Sequence, residues 1–209
     1  MTDILLGIMA LFLVFNIFSY GRTIDIRKVR IWLWAFGLLA LASFLGAVAH
    51  GIVMTNETNF WIWQPINLFL GMTVAFFVIG VVYDKRNYSV PKGFFLFMIT
   101  ISIGFFIITI IIPGSFLVFI IYEAVAMIFA LVSYIILVFR KTIQGAKFMV
   151  AGIFLSIIAA VIQSTEWVYF KLIWEFDYNG IFHIIQIFGL GFLLIGLRKE
   201  LLSRKNQQR

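Results

Sequence analysis

Seven long apolar runs, each closed by charged or turn-forming residues, take up almost the whole chain and decide what it can fold into. They run from Ile4 to Tyr20, Ile31 to Val53, Trp61 to Tyr83, Phe94 to Ile112, Phe116 to Phe139, Phe148 to Phe170 and Ile181 to Leu197. A helix crossing a bilayer needs about 20 apolar residues. An unpaired backbone amide in hydrocarbon costs several kcal/mol, so only helices or closed barrels span. These runs are too long and too uniformly apolar for barrel strands, which alternate over about 10 residues. With 63% hydrophobic and 12% charged residues, a water-soluble globular domain is excluded. The expected fold is all-α, a seven-transmembrane-helix bundle forming one integral membrane domain over residues 1–209.

The connections carry loop chemistry: two asparagines between Thr55 and Phe60, Pro91 between Tyr88 and Gly93, and the tight turn Pro113-Gly114-Ser115. That turn makes the fourth and fifth runs antiparallel neighbours. Fifteen of the 16 Lys and Arg residues fall in the loops and tail on one side, and Lys171 stands alone on the other. By the positive-inside rule this places the N-terminus outside and the C-terminus in the cytoplasm, in the cell (plasma) membrane. The basic loops are assigned to topology and anionic lipid headgroups, not to nucleic acid. The first run lacks a basic leader and a cleavage pattern, so it reads as a span, not as a signal peptide. There is no cysteine, which removes disulfides, thiolate nucleophiles and cysteine-bound metals.

Ionisable residues inside spans are costly and mark function. Four stand out: His50, Glu123, Glu166 and His183. At 1.5 Å rise per residue they fall within roughly 3 to 11 Å of the outer boundary. Three of them top small-residue stripes at helical spacing: Gly37, Ala40, Ser43 and Ala47 below His50; Ala126, Ala130 and Ser133 below Glu123; Gly152, Ser156, Ala159 and Gln163 below Glu166. Small residues mark faces where membrane helices approach closely, so these side chains point into the bundle. Gln64, Asn67 and Gly71 in the third run and Asn179 and Gln186 in the seventh join the same level. The expected site is an outward-facing polar pocket of Ser43, Gln64, Asn67, Gln163, Asn179 and Gln186 around the four ionisable groups. The second, third, fifth, sixth and seventh helices build it, and the fourth faces lipid. Polar groups in the inner half are read as sparse, with no continuous path across.

Two imidazoles and two carboxylates are natural zinc ligands, which makes His50, His183, Glu123 and Glu166 a candidate metal set. The alternative is a hydrogen-bonded network or a small-ligand pocket. A retinal Schiff base is excluded, because the seventh run has no lysine, and no serine-histidine-acid arrangement is legible.

The segment Asn179-Gly180-Ile181-Phe182-His183-Ile184-Ile185, continuing to Gly189, resembles the corresponding segment of alkaline ceramidases. Those enzymes belong to a seven-helix superfamily with the adiponectin and progestin receptors and the hemolysin III-like bacterial proteins. The resemblance implies a zinc site near the N-terminal face, with His50 as the helix-two ligand and His183 as the second helix-seven ligand. Asn179 stands where the first helix-seven histidine is expected. Gly46 replaces the superfamily serine, with Ser43 a turn away, and Gln64 and Asn67 stand where an acid is expected in helix three. Two functions follow from the resemblance. One is a non-catalytic sensor or lipid-binding protein that keeps the pocket. The other is a zinc-dependent hydrolase of a lipid amide or ester, with a metal-bound water and a glutamate base. The missing histidine and acid favour the first.

Overall fold

A computed structural model describes residues 2–112, 116–165, 170–171, 175–176 and 178–207. Seven helices account for most of them: α1 (Thr2–Gly21), α2 (Ile26–Gly51), α3 (Asn56–Lys85), α4 (Lys92–Ile111), α5 (Phe116–Arg140), α6 (Ala146–Thr165) and α7 (Tyr178–Gln207). Each is long and apolar enough to cross a membrane. Between α6 and α7, β1 (Phe170–Lys171) pairs antiparallel with β2 (Glu175–Phe176), Phe170 opposite Phe176. The sixth apolar run therefore does not continue as helix to Phe170.

Helix ends follow local chemistry. Asp25 caps α2 by accepting from the Lys28 amide at 3.0 Å, and Thr55 caps α3 by accepting from the Thr58 amide at 3.2 Å. Pro91, with φ preset, precedes the first turn of α4. After α3 the chain reverses through Asn87 and Tyr88, both left-handed at φ 48° and 67°. α3 and α7, at 30 residues each, are longer than their apolar runs. At 1.5 Å per residue they extend about 45 Å, past a hydrocarbon core of about 30 Å.

The packing order is a closed ring. α1 lies against α2 and α7, α2 against α3, α3 against α5, α5 against α6, and α6 against α7. α4 stands outside this ring, packed on α3 and only lightly on α5, with Leu96, Phe97, Ile103, Ile107 and Ile111 exposed for lipid. The tightest contact is α6 on α7. A Cβ at Gly145 would run into the Gly196 backbone, and one at Gly152 would lie 2.8 Å from the Gly189 carbonyl oxygen. Glycine at these positions lets two backbones touch, the packing that replaces the hydrophobic effect between helices in lipid.

The end of the bundle that carries the basic loops is full of buried charge, contrary to the sparse inner half read from the sequence. Lys28 Nζ lies 2.6 Å from Asp84 Oδ1, both side chains 1% exposed, and the Tyr134 hydroxyl donates to Asp84 Oδ2 at 2.8 Å. A second network gathers on α7. Arg204 donates to Asp25 and lies over the Tyr88 ring, 3.2 Å from its centroid. Glu200 accepts from the Tyr88 hydroxyl at 3.1 Å and from the Gln144 amide at 3.0 Å. The loops after α1, α3 and α5 are thus all tied to the end of α7. Burial pushes the Asp25 carboxyl up, but the Lys28 amide, Arg204 and the Tyr83 hydroxyl outweigh it and hold it below the usual carboxylate range. Burial and then the Glu200 charge push the Tyr88 phenol up.

Candidate functional site

Inside the ring, in the half nearer the N-terminus, lies a cavity of about 120 Å³ to which all six ring helices contribute. Ordering the lining along each helix separates a polar mouth from an apolar floor. At the mouth stand Asp3 of α1, His50 and Ser43 of α2, Glu123 of α5, Gln163 of α6, and Asn179, His183 and Gln186 of α7. The floor is Phe36 and Leu39, Leu70 and Phe77, Met127, and Leu190 and Leu193, with Thr73 among them donating to the Ala35 carbonyl at 3.4 Å. Below it Trp32, fully buried, stacks on Phe36 at 5.6 Å between centroids and stands edge-on to Phe77 at 5.3 Å. A Cβ at Gly80 would lie 2.8 Å from the Trp32 ring, so only glycine lets the indole close the floor against α3. One turn further, Lys28 and Asp84 seal the bundle.

His50 is exposed at the rim, its ring edge-on to Trp63 at 5.5 Å. Across the mouth, His183 is buried and engaged by α1: its Nδ1 is 2.9 Å from Thr2 Oγ1, and its Nε2 is 3.5 Å from Asp3 Oδ1. The Gln163 amide donates to Asn179 Oδ1 at 3.0 Å, joining α6 to α7. Ser43 and Ser156 donate to carbonyls one turn back on their own helices, at 2.8 and 3.1 Å. Two acceptors have no such engagement. Among the described residues the Glu123 carboxyl has neither a hydrogen bond nor an ion pair, and Gln186 Oε1 is buried without a hydrogen-bond partner.

Of the residues singled out in the sequence, Ser43, His50, Glu123, Gln163, Asn179, His183 and Gln186 line this cavity. Gln64 and Asn67 do not. The α3 positions on the cavity wall are Trp63, Ile66, Leu70, Thr73, Val74 and Phe77, whereas the Gln64, Asn67 and Gly71 stripe is turned away from it. At Gly71 that stripe meets α4, where Phe105 and Ser102 approach, and α5, whose Tyr122 hydroxyl donates to the Gly71 carbonyl at 3.2 Å. Gln64 bonds back to the Phe60 carbonyl at 3.1 Å. Glu166 lies outside the described residues. Among those described, no three His, Cys, Asp or Glu side chains gather as metal ligands. The ring nitrogens of His183 lie near Thr2 and Asp3 of α1, and His50 stands at the rim against Trp63.

The sequence reading missed α1. Asp3 was not among the site residues read from the sequence, yet it is 8% exposed and sits where a Cβ at Gly46 would be 3.2 Å from its Oδ1. Gly46 therefore makes room for a carboxylate from the neighbouring helix. A signal was present: Asp3, Gly7 and Ala10 are spaced like the other capped stripes, and a Cβ at Gly7 would lie 2.8 Å from Phe44 of α2.

Fold and cavity define a multi-pass integral membrane protein built as a ring of six helices around a blind pocket, with a seventh outside. The chain belongs to a family of unknown function, DUF6962, whose pattern matches residues 1–202. No curated protein and no solved structure matches it.

Proposed function

We propose that this protein is a non-catalytic membrane receptor or carrier for a single-chain amphiphile taken up into the cavity at its N-terminal face. One observation carries the reading: the cavity changes from polar at the mouth to predominantly apolar at the floor, where the Thr73 hydroxyl is spent on the Ala35 carbonyl and Trp32 packs beneath Phe36 and Phe77. That gradient suits a molecule with a head and a tail, because a polar head in the floor would lose hydrogen bonds worth several kcal/mol. A volume of about 120 Å³ suits the first part of one chain and not a whole diacyl lipid. The blind end favours binding over passage. Thr2, the hydroxyl beside His183, is not on the cavity wall, and the wall hydroxyls of Ser43 and Ser156 donate to carbonyls of their own helices, which supports binding over catalysis. The divergent kinship with the ceramidase and adiponectin receptor superfamily belongs to this proposal, supported by His50 and His183 both standing at the mouth. So does the orientation, with the cavity outside and the basic face in the cytoplasm of a cell membrane, supported by the loop charges.

The chain has no cysteine, so a single introduced thiol is a clean probe. Ser43→Cys places it in the cavity, and Ile107→Cys places a control on the lipid face of α4. Dodecanol is expected to slow N-ethylmaleimide labelling of the cavity thiol in detergent micelles while leaving the control unchanged. Equal effects on the two thiols, or none on either, would remove the reading.

A further inference from the structure

Taking the cavity as an amphiphile site, as above, we infer that it selects a head group that donates hydrogen bonds and carries positive charge, an alkylammonium in chemical class. The mouth is rich in unused acceptors. The Glu123 carboxyl has no partner among the described residues and Gln186 Oε1 has none either, while Asp3 holds a second carboxylate whose Oδ1 is 3.5 Å from His183 Nε2. Several donors on the wall are spent within the protein, the Gln163 amide on Asn179 and the Ser43 and Ser156 hydroxyls on their own helices, which leaves the amide N–H groups of Asn179 and Gln186 beside the open acceptors. Among the described residues no Lys or Arg lines the cavity, although the chain has 16 of them, nearly all at the opposite end. An anionic head would meet the Glu123 and Asp3 carboxyl groups there, with no Lys or Arg among the described lining residues to receive it.

An ammonium head satisfies what the wall leaves open. Its three N–H groups match the Glu123 carboxylate and Gln186 Oε1, with the third free for Asp3 or water. Charge-assisted bonds of this kind are about twice as strong as neutral ones. Aromatic faces at the mouth, Trp63 and Phe182, add a surface that attracts cations. The tail then enters between Phe36, Phe77 and Met127.

The test uses three probes of one chain length, dodecylamine, dodecanol and laurate, as protectants of Ser43→Cys against the uncharged reagent N-ethylmaleimide near neutral pH. The amine is expected to protect at a concentration at least tenfold below laurate, with dodecanol between them. Because micelle partitioning differs among the three, the deciding quantity is the amine-to-laurate ratio in Ser43→Cys against the same ratio in Ser43→Cys with Glu123→Gln. The ratio should fall at least fivefold in the second protein, while dodecanol protection stays within twofold. If all three probes protect equally in the unaltered wall, the head-group inference fails and the amphiphile reading stands. If none protects, the amphiphile reading itself fails. A ratio that survives Glu123→Gln unchanged would also overturn the assignment, since the preference would then belong to the detergent.

Discussion

Removing one partner of the Lys28–Asp84 pair is expected to cost far more than removing both. The pair lies 2.6 Å apart at 1% side-chain exposure, so neither charge can recover hydration if the other is lost. Breaking a buried pair by deleting one member costs about 3 to 5 kcal/mol, because an uncompensated charge stays behind. At 1.36 kcal/mol per tenfold, this is roughly two to four orders of magnitude in the unfolding equilibrium. Asp84→Leu also strips the Tyr134 hydroxyl of its acceptor, which adds about 1 kcal/mol or more. In Lys28→Met with Asp84→Leu no charge remains, and well-packed apolar replacements of buried pairs are often close to neutral. The double variant should therefore recover at least about 2 kcal/mol relative to the sum of the single losses, the size of coupling seen for groups in one network. Titration with SDS in mixed micelles, followed by far-ultraviolet circular dichroism, measures all four corners of the cycle. Single losses below about 1 kcal/mol, or a double loss equal to the sum, would refute the claim that this pair is a buried seal beneath the cavity.

Other outcomes follow from the same geometry. Gly145→Ala should sharply reduce folded protein, since its methyl group would enter the Gly196 backbone; Gly104→Ala, with open space around it, should not, as fluorescence-detected size exclusion would show. Asp25 has a depressed pKa in the fold, so its contribution is present above the unfolded value of about 3.9 and is lost as pH falls through the lower folded value. Asp25→Asn should remove about 1.5 to 3 kcal/mol near neutral pH, the range for bonds to charged groups, and its SDS midpoint should fall less on acidification than that of the parent. Reporter fusions after Arg209 and within 56–59 should report opposite sides of the membrane; the same side for both would overturn the orientation.

How much of this the sequence carried depends on where each group sits along its helix. The seven helices were legible because a bilayer demands length and uniform apolarity, and no competing structure meets both. Stripes of small residues located Ser43 and His50 on α2, Glu123 on α5, and Ser156 and Gln163 on α6, since facing is set by the 3.6-residue period. The same device misled on α3, where Gly71 marks the contact with α4 and α5 and not the cavity: a small-residue stripe says that something approaches closely, not what. Charge counting hid the seal. Lys28 and Arg204 look like loop residues because they flank apolar runs, but α2 starts at Ile26 and α7 continues to Gln207, which carries both inside the packed end. Their partners Asp84, Asp25 and Glu200 are distant in sequence, and no local pattern announces such pairing.

The most direct measurement of the central claim is the lipid that travels with the purified protein. The chain and a variant whose cavity is filled, Ser43→Phe, would be purified in the same detergent and their bound lipids extracted and quantified by mass spectrometry. A cavity that holds a single-chain amphiphile should bring down one such species near one per protein from the parent and lose it in the filled variant. Identical lipid content in the two, with both folded, would contradict the account.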